Sequence, residues 1–195
     1  MPAWTRFNVK DNATNTTVGR VHYSASNQAA YRAFKTKANL VRVNRFAQRQ
    51  SNYPGVGGGI KKTYVSAKLR QRRPGAARQA LAAVAVLNPG FAPVTPHKSH
   101  LVPDTHGGPS IPTNLVNEER TVNLRAHKRI ENRIGAFIKA VTAPGDTNPN
   151  RHRGGLIIRE AFNAAGQPRQ RIYFASIKNL TNNTRTYHKF TFNRI

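Results

Sequence analysis

The sequence predicts an α+β protein: a basic N-terminal half with extended Gly/Pro-rich arms and two helices, then one long helix packed on a three-stranded antiparallel meander. Three observations carry this. From Ser26 to Gln50 the chain holds neither Gly nor Pro and is rich in Ala, Gln, Lys and Arg. From Asn117 to Val141 apolar residues recur at spacings of three and four, and from Gly155 onward the period falls to two.

Residues 1–24 read as an arm with one short strand, because Val18–Ser24 (VGRVHYS) alternates. Ser26 or Asn27 can cap the first helix. On that helix Lys35, Arg42 and Arg49 recur every seven residues and so lie along one line, while Tyr31, Phe34, Ala38 and Val41 form a neighbouring stripe that can pack. The stretch Leu40–Phe46 (LVRVNRF) also alternates as a strand would.

Next comes Pro54–Arg78. Gly57, Gly58 and Gly59 are followed by seven cations within eighteen residues, namely Lys61, Lys62, Lys68, Arg70, Arg72, Arg73 and Arg78, with no acid among them. So many fixed charges need partners that the local sequence does not supply, so the stretch reads as a flexible hinge leading to a basic anchor for a polyanion. Pro74–Leu87, rich in Ala and ended by Asn88-Pro89-Gly90, reads as a short apolar helix. The prolines from Pro89 to Pro112, with Gly107 and Gly108, mark an extended linker.

The long helix has Asn117 as its cap, Glu118 and Glu119 in its first turn, and Pro144-Gly145 as its stop. His127, Ile130, Ile134, Phe137, Ile138 and Val141 form its buried face. The meander consists of Gly155–Phe162, Arg169–Lys178 and Thr184–Ile195, separated by turn-forming stretches. These readings divide the chain into a basic arm and helical region (1–87), a Pro-rich linker (88–113) and an α+β domain (114–195).

Charge is the outlier in composition. Lys and Arg number 32 against 7 Asp and Glu, a net charge of +25. Residues 1–103 hold 17 of the cations and one acid, Asp11, so the first half is the part expected to touch a polyanion. Cysteine is absent, which excludes disulfides, thiolate zinc sites and a cysteine nucleophile. No apolar run reaches membrane-spanning length, and the N-terminus lacks the apolar core of a classical secretory signal.

Patterns that could carry chemistry are weak. Gly59-Ile60-Lys61-Lys62-Thr63 misses the spacing of a nucleotide-binding phosphate loop. His97, His100, Asp104 and His106 cluster, but in a Pro-rich loop rather than at helical spacing, and read as loop polar groups. Glu131 follows His127 by four residues, a routine helix-surface spacing, and no nucleophile with a base and an orienting acid can be assembled. The expectation is therefore no enzyme, no metal and no cofactor.

Instead the sequence points to binding. The nucleic-acid contacts expected are Lys35, Arg42, Arg49, Lys61, Lys62, Lys68, Arg70, Arg72, Arg73, Arg78, Arg151 and Arg153, with His152 between the last two as a further phosphate contact. The partners implied are the phosphate backbone of DNA or RNA, acidic faces of neighbouring subunits, or both, and no membrane. A small basic body with Gly- and Pro-rich arms has the character of a structural protein in a large nucleoprotein particle. A virion, with this chain as a minor capsid or genome-associated protein, is the first expectation. A ribosomal protein threading ribosomal RNA, cytoplasmic or organellar, is the second, and a free non-specific nucleic-acid-binding protein the third.

Overall fold

The computed structural model describes residues 4–39, 46–55, 57–70, 81, 83–143, 146, 148 and 151–195. Among them the architecture is mostly antiparallel β, which corrects the expected α+β fold with its two N-terminal helices and three-stranded meander. A seven-stranded sheet has the order β1-β2-β9-β8-β7-β4-β3, and β5 and β6 form a separate two-stranded ribbon. The strands of the large sheet are β1 (Arg6–Lys10), β2 (Thr17–Ser26), β3 (Ala47–Asn52), β4 (Ile60–Arg70), β7 (His152–Phe162), β8 (Pro168–Lys178) and β9 (Arg185–Arg194). The ribbon pairs β5 (Pro96–His100) with β6 (Leu115–Glu119).

The three C-terminal strands overlap the runs read from the sequence, but they lie inside a larger sheet rather than standing alone. β4 pairs with β7 and β2 pairs with β9, so β1–β4 and β7–β9 share one hydrogen-bonded sheet. Its two faces follow from alternation. Val65, Leu156, Ile158, Tyr173, Phe190, Phe192 and Val21 point to one side, where they form the main core with the long helix. Tyr64, Ile157 and Phe174 point to the other, where the short helix α1 (Gln28–Lys37) lays Tyr31 and Ala38 on them.

α1 begins where Asn27 accepts a hydrogen bond from Ala30 N at 2.9 Å. It ends at Asn39, whose φ of 51° places it in the left-handed region that closes helices. The uninterrupted helix expected through Gln50 therefore stops early. Lys35 is on α1 and Arg49 is on strand β3, so the line of Lys35, Arg42 and Arg49 does not exist, and Arg42 lies outside the described residues.

The Gly run is not a hinge. The β3–β4 hairpin is closed by Tyr53 N, which donates to Gly59 O at 2.9 Å. A side chain at Gly58 would meet the Tyr53 carbonyl oxygen at 2.2 Å, so only Gly fits. Lys61, Lys62, Lys68 and Arg70 accordingly sit on a sheet strand, not on an arm. Most of the Ala-rich stretch lies outside the described residues, as do Arg72, Arg73 and Arg78; the described residues 83–87 are not helical.

The long helix starts later than its expected cap. Asn117, Glu118 and Glu119 belong to β6, and the helical run is α2 (Arg120–Val122), a π turn (Asn123–His127) and α3 (Lys128–Ala140). Ile130, Ile134 and Ile138 are buried against the sheet. No described helix is long and apolar enough to cross a membrane.

Candidate nucleic-acid interface

The face of the sheet that carries α1 holds the charge pattern of interest. By register, Arg6 (β1), Arg20 (β2), Lys189 and Arg185 (β9), Lys178 (β8), Arg159 (β7), Lys62 and Lys68 (β4) and Arg49 (β3) all alternate onto it with Tyr64, Ile157 and Phe174. Arg6, Arg20, Arg49 and Arg185 are exposed, and the others are partly so. α1 crosses this face and brings Arg32, Lys35 and Lys37 to it.

No acid shares the face. Glu160 and Glu118 are buried on the opposite side, where the guanidinium of Arg171 donates to Glu160 and that of Arg194 to Glu118. Glu119 accepts from Val94 N, Thr95 N and the Thr95 hydroxyl, and Glu131 pairs with Lys128 on α3 at 3.4 Å. Asp11 sits in the β1–β2 turn, bonded to Thr121 of α2 at 3.2 Å. Asp104 is in a 3-10 turn lining a cavity beside α3. Asp146, between α3 and β7, takes Arg151 at 3.1 Å and Arg153. All seven acids are thus placed, and the face differs from an ordinary solvated surface, which mixes both signs.

The aromatic surface beneath α1 is already used. Tyr31 meets Phe174 edge-on at 5.3 Å and lies 5.6 Å from Tyr187, and Phe34 lies 5.7 Å from Phe174 and 6.4 Å from Tyr64. Bases therefore have no free stacking platform at the centre of the sheet, and what the face offers a nucleic acid is charge.

The expected contact residues divide accordingly. Lys62, Lys68 and Arg49 reach the acid-free face, and Lys35 reaches it from α1. Lys61 alternates to the other side and stands 5.6 Å over the Tyr53 ring. The Arg70 side chain packs toward Gly107. Arg151 is exposed although paired with Asp146, whereas Arg153 is buried, 1% exposed, and ion-paired with the same carboxylate. Sequence reasoning passed over Arg6, Arg20, Arg159, Lys178, Arg185 and Lys189; their signal is a basic residue at an outward position of an alternating strand.

Under the other face lies a buried polar network. Arg171 donates to Glu160, to Ser99 Oγ at 3.0 Å and to the Tyr173 hydroxyl at 3.2 Å, and Ser99 donates to Asn123 at 2.9 Å. His127 Nε2 stands 3.6 Å from Glu118. Burial, reinforced by Arg171 and Arg194, holds His127 neutral well below its ordinary range, and burial pushes Glu160 up to about 7 against the pull of Arg171. Arg171, Glu160, Ser99, Tyr173, His127 and Glu118 are sealed from solvent and order the core, while half-buried Asn123 reaches the cavity beside α3.

The cavity beside α3 measures about 230 Å³ and is lined by His97, His100, Asp104, Asn123, Lys128 and Glu131 among others. Among the described residues no group of His, Asp and Glu is arranged to hold a metal ion. Set against protein-family models, curated proteins and solved structures, the chain matches none.

Proposed function

We propose that this protein is a non-enzymatic structural component of a large nucleoprotein particle and that it holds nucleic acid by its phosphates against the α1 face of the sheet. The observation that carries the reading is the segregation of charge: nine sheet cations on one face, and every carboxylate elsewhere. A particle suits the composition, since a chain of net charge +25 repels its own copies unless a polyanion neutralises them. A virion is the particle favoured, with the chain as a minor capsid or genome-associated protein; cysteine-free, Asn- and Thr-rich composition and predominantly β structure support that choice over the ribosome.

On this reading the cations displace counterions condensed on the phosphates, which gives affinity with little sequence preference. Neutralising about six to eight phosphates makes log K fall against log salt with a slope near −5 to −7 on duplex DNA. Replacing Arg49, Lys62, Lys178 and Arg185 together with Ala should flatten that slope by about 3 to 4. Equilibrium binding of a labelled duplex at several salt concentrations measures both, and affinity that does not change with salt overturns the proposal. Sedimentation of the protein from its source separates the particles: coat protein in the same band supports the virion, and ribosomal RNA supports the ribosome.

A further inference from the structure

One end of the sheet brings cations of the α1 face to the strand ends beside His152. There β4 ends, β7 begins, β8 ends and β9 begins. Register puts Arg70 opposite His152 across a bulge, and Lys178 opposite Arg185. The bulge depends on Gly154, whose φ of 141° excludes a side chain and which lies against the Ser176 carbonyl of the neighbouring strand. It sets His152 and Arg153 on different paths: Arg153 turns inward to Asp146, and His152 stays exposed.

Among the described residues, Lys68 from β4, Arg185 from β9 and Lys178 from β8, all positive, act on the His152 imidazole. Of the remaining charged neighbours, Arg70 packs toward Gly107, and Arg151 and Arg153 share Asp146, the carboxylate of the connection that leads into β7. The Arg185 guanidinium is steered by a 3.2 Å bond to Ser176 Oγ, and it acts on Tyr31 of α1 as well as on His152. The cross-strand pair Lys178–Arg185, with Lys68 and an exposed imidazole at the same end of the sheet, forms a site for a multiply oxygenated anion.

Building on the phosphate-binding reading above, we propose that Lys68, His152, Lys178 and Arg185 form a discrete site for one phosphodiester of the bound nucleic acid, and that His152 takes a proton from solvent as the phosphate arrives. In the free protein partial desolvation of the ring, with the repulsion of the three cations, keeps the imidazole neutral below its usual range, and the Gly154 backbone pulls the other way. An anion in the site reverses the electrostatic part, so the bound form holds a proton that the free form lacks. By linkage, affinity then rises as pH falls. The nucleic acid is held more tightly in an acidic compartment and released more readily at higher pH.

The test is binding of labelled single-stranded oligo-dT and oligo-U to the full chain at constant ionic strength between pH 5.5 and 8. Both arms are expected to tighten by about tenfold toward pH 5.5, the factor that one unit of coupling gives. His152→Gln should bind at pH 5.5 as wild type does at pH 8 and show no slope, and His152→Lys should bind tightly at every pH. Lys178→Ala with Arg185→Ala should weaken binding and reduce the slope. Because His152 is exposed, the Gln variant is expected to fold, and the imidazole's own NMR titration, moved upward by added oligonucleotide, gives a second reading. Strong binding with no pH slope in either arm, or a slope retained by His152→Gln, overturns this site while leaving the phosphate-binding reading intact. Absence of binding at low salt overturns both.

Discussion

At the scale of single residues, the buried Glu160–Arg171 pair decides more than any surface charge. Both side chains are fully buried, and Arg171 spreads its donors over Glu160, Ser99 and Tyr173. Pairs of this kind repay their desolvation only while both partners are present. Glu160→Gln is therefore expected to cost about 3–5 kcal/mol, because it leaves the guanidinium charge in the core without its counterion. Replacing both residues with Leu should cost less than that single change. Urea unfolding of the two variants compares them directly, and a single variant no less stable than wild type would mean that the core reorganises around Arg171. This pair, together with Glu118 held by Arg194, explains why two of the scarce acids do not temper the basic face: they are spent inside.

At the scale of elements, legibility followed local period and failed where charge or composition disguised it. The helix face of Ile130, Ile134 and Ile138 and the three C-terminal strands were readable, because their apolar residues keep a regular spacing. β4 was not, although Thr63, Val65, Ala67 and Leu69 alternate with Lys62, Tyr64, Ser66 and Lys68, because the density of cations reads as an arm. A strand solves the charge problem that an arm was invoked to solve: alternation keeps the cations outward while their neighbours enter the core. β3 (AQRQSN) is built of helix-favouring and polar residues, and its identity comes from pairing with β4 at the sheet edge, a long-range fact. Glu118 and Glu119, read as a helix first turn, lie on β6 for the same reason, since the Pro-containing β5 supplies the partner strand. The basic character of the candidate face was legible, and some of its residues with it; its unity came only with the register that puts strands distant in sequence on one face.

The same scale carries a prediction about the β7–β8 pair. A Cβ at Gly154 would lie 1.8 Å from the Ser176 carbonyl oxygen, at a φ of 141° that other residues rarely adopt. Backbone strain alone costs on the order of 1–3 kcal/mol, and the clash adds to it. Gly154→Ala should lower the urea midpoint and, by undoing the bulge, weaken oligonucleotide binding even where the protein remains folded. Equal stability and equal binding in that variant would show that the bulge does not position the end of the basic face.

At the scale of the whole molecule, the distribution of charge makes stability depend on the partner. The buried acids lie on the helix side of the sheet and nine sheet cations on the other, so the folded state concentrates repulsion that the unfolded chain would dilute. Any polyanion that binds the folded form alone should then stabilise it by mass action, about 2.7 kcal/mol at a hundred times the dissociation constant. For a chain of this size that amounts to a rise in Tm of about 5–10 °C. The rise should shrink as salt is added, because salt screens the repulsion and competes for the same phosphates. Thermal unfolding with and without a short oligonucleotide, at low and at high salt, measures both effects in one series. If salt alone raises Tm while oligonucleotide does not, the cations are merely crowded and do not form a surface shaped for a backbone of phosphates. A rise with oligonucleotide at low salt that fades at high salt ties the acid-free face to the fold that carries it.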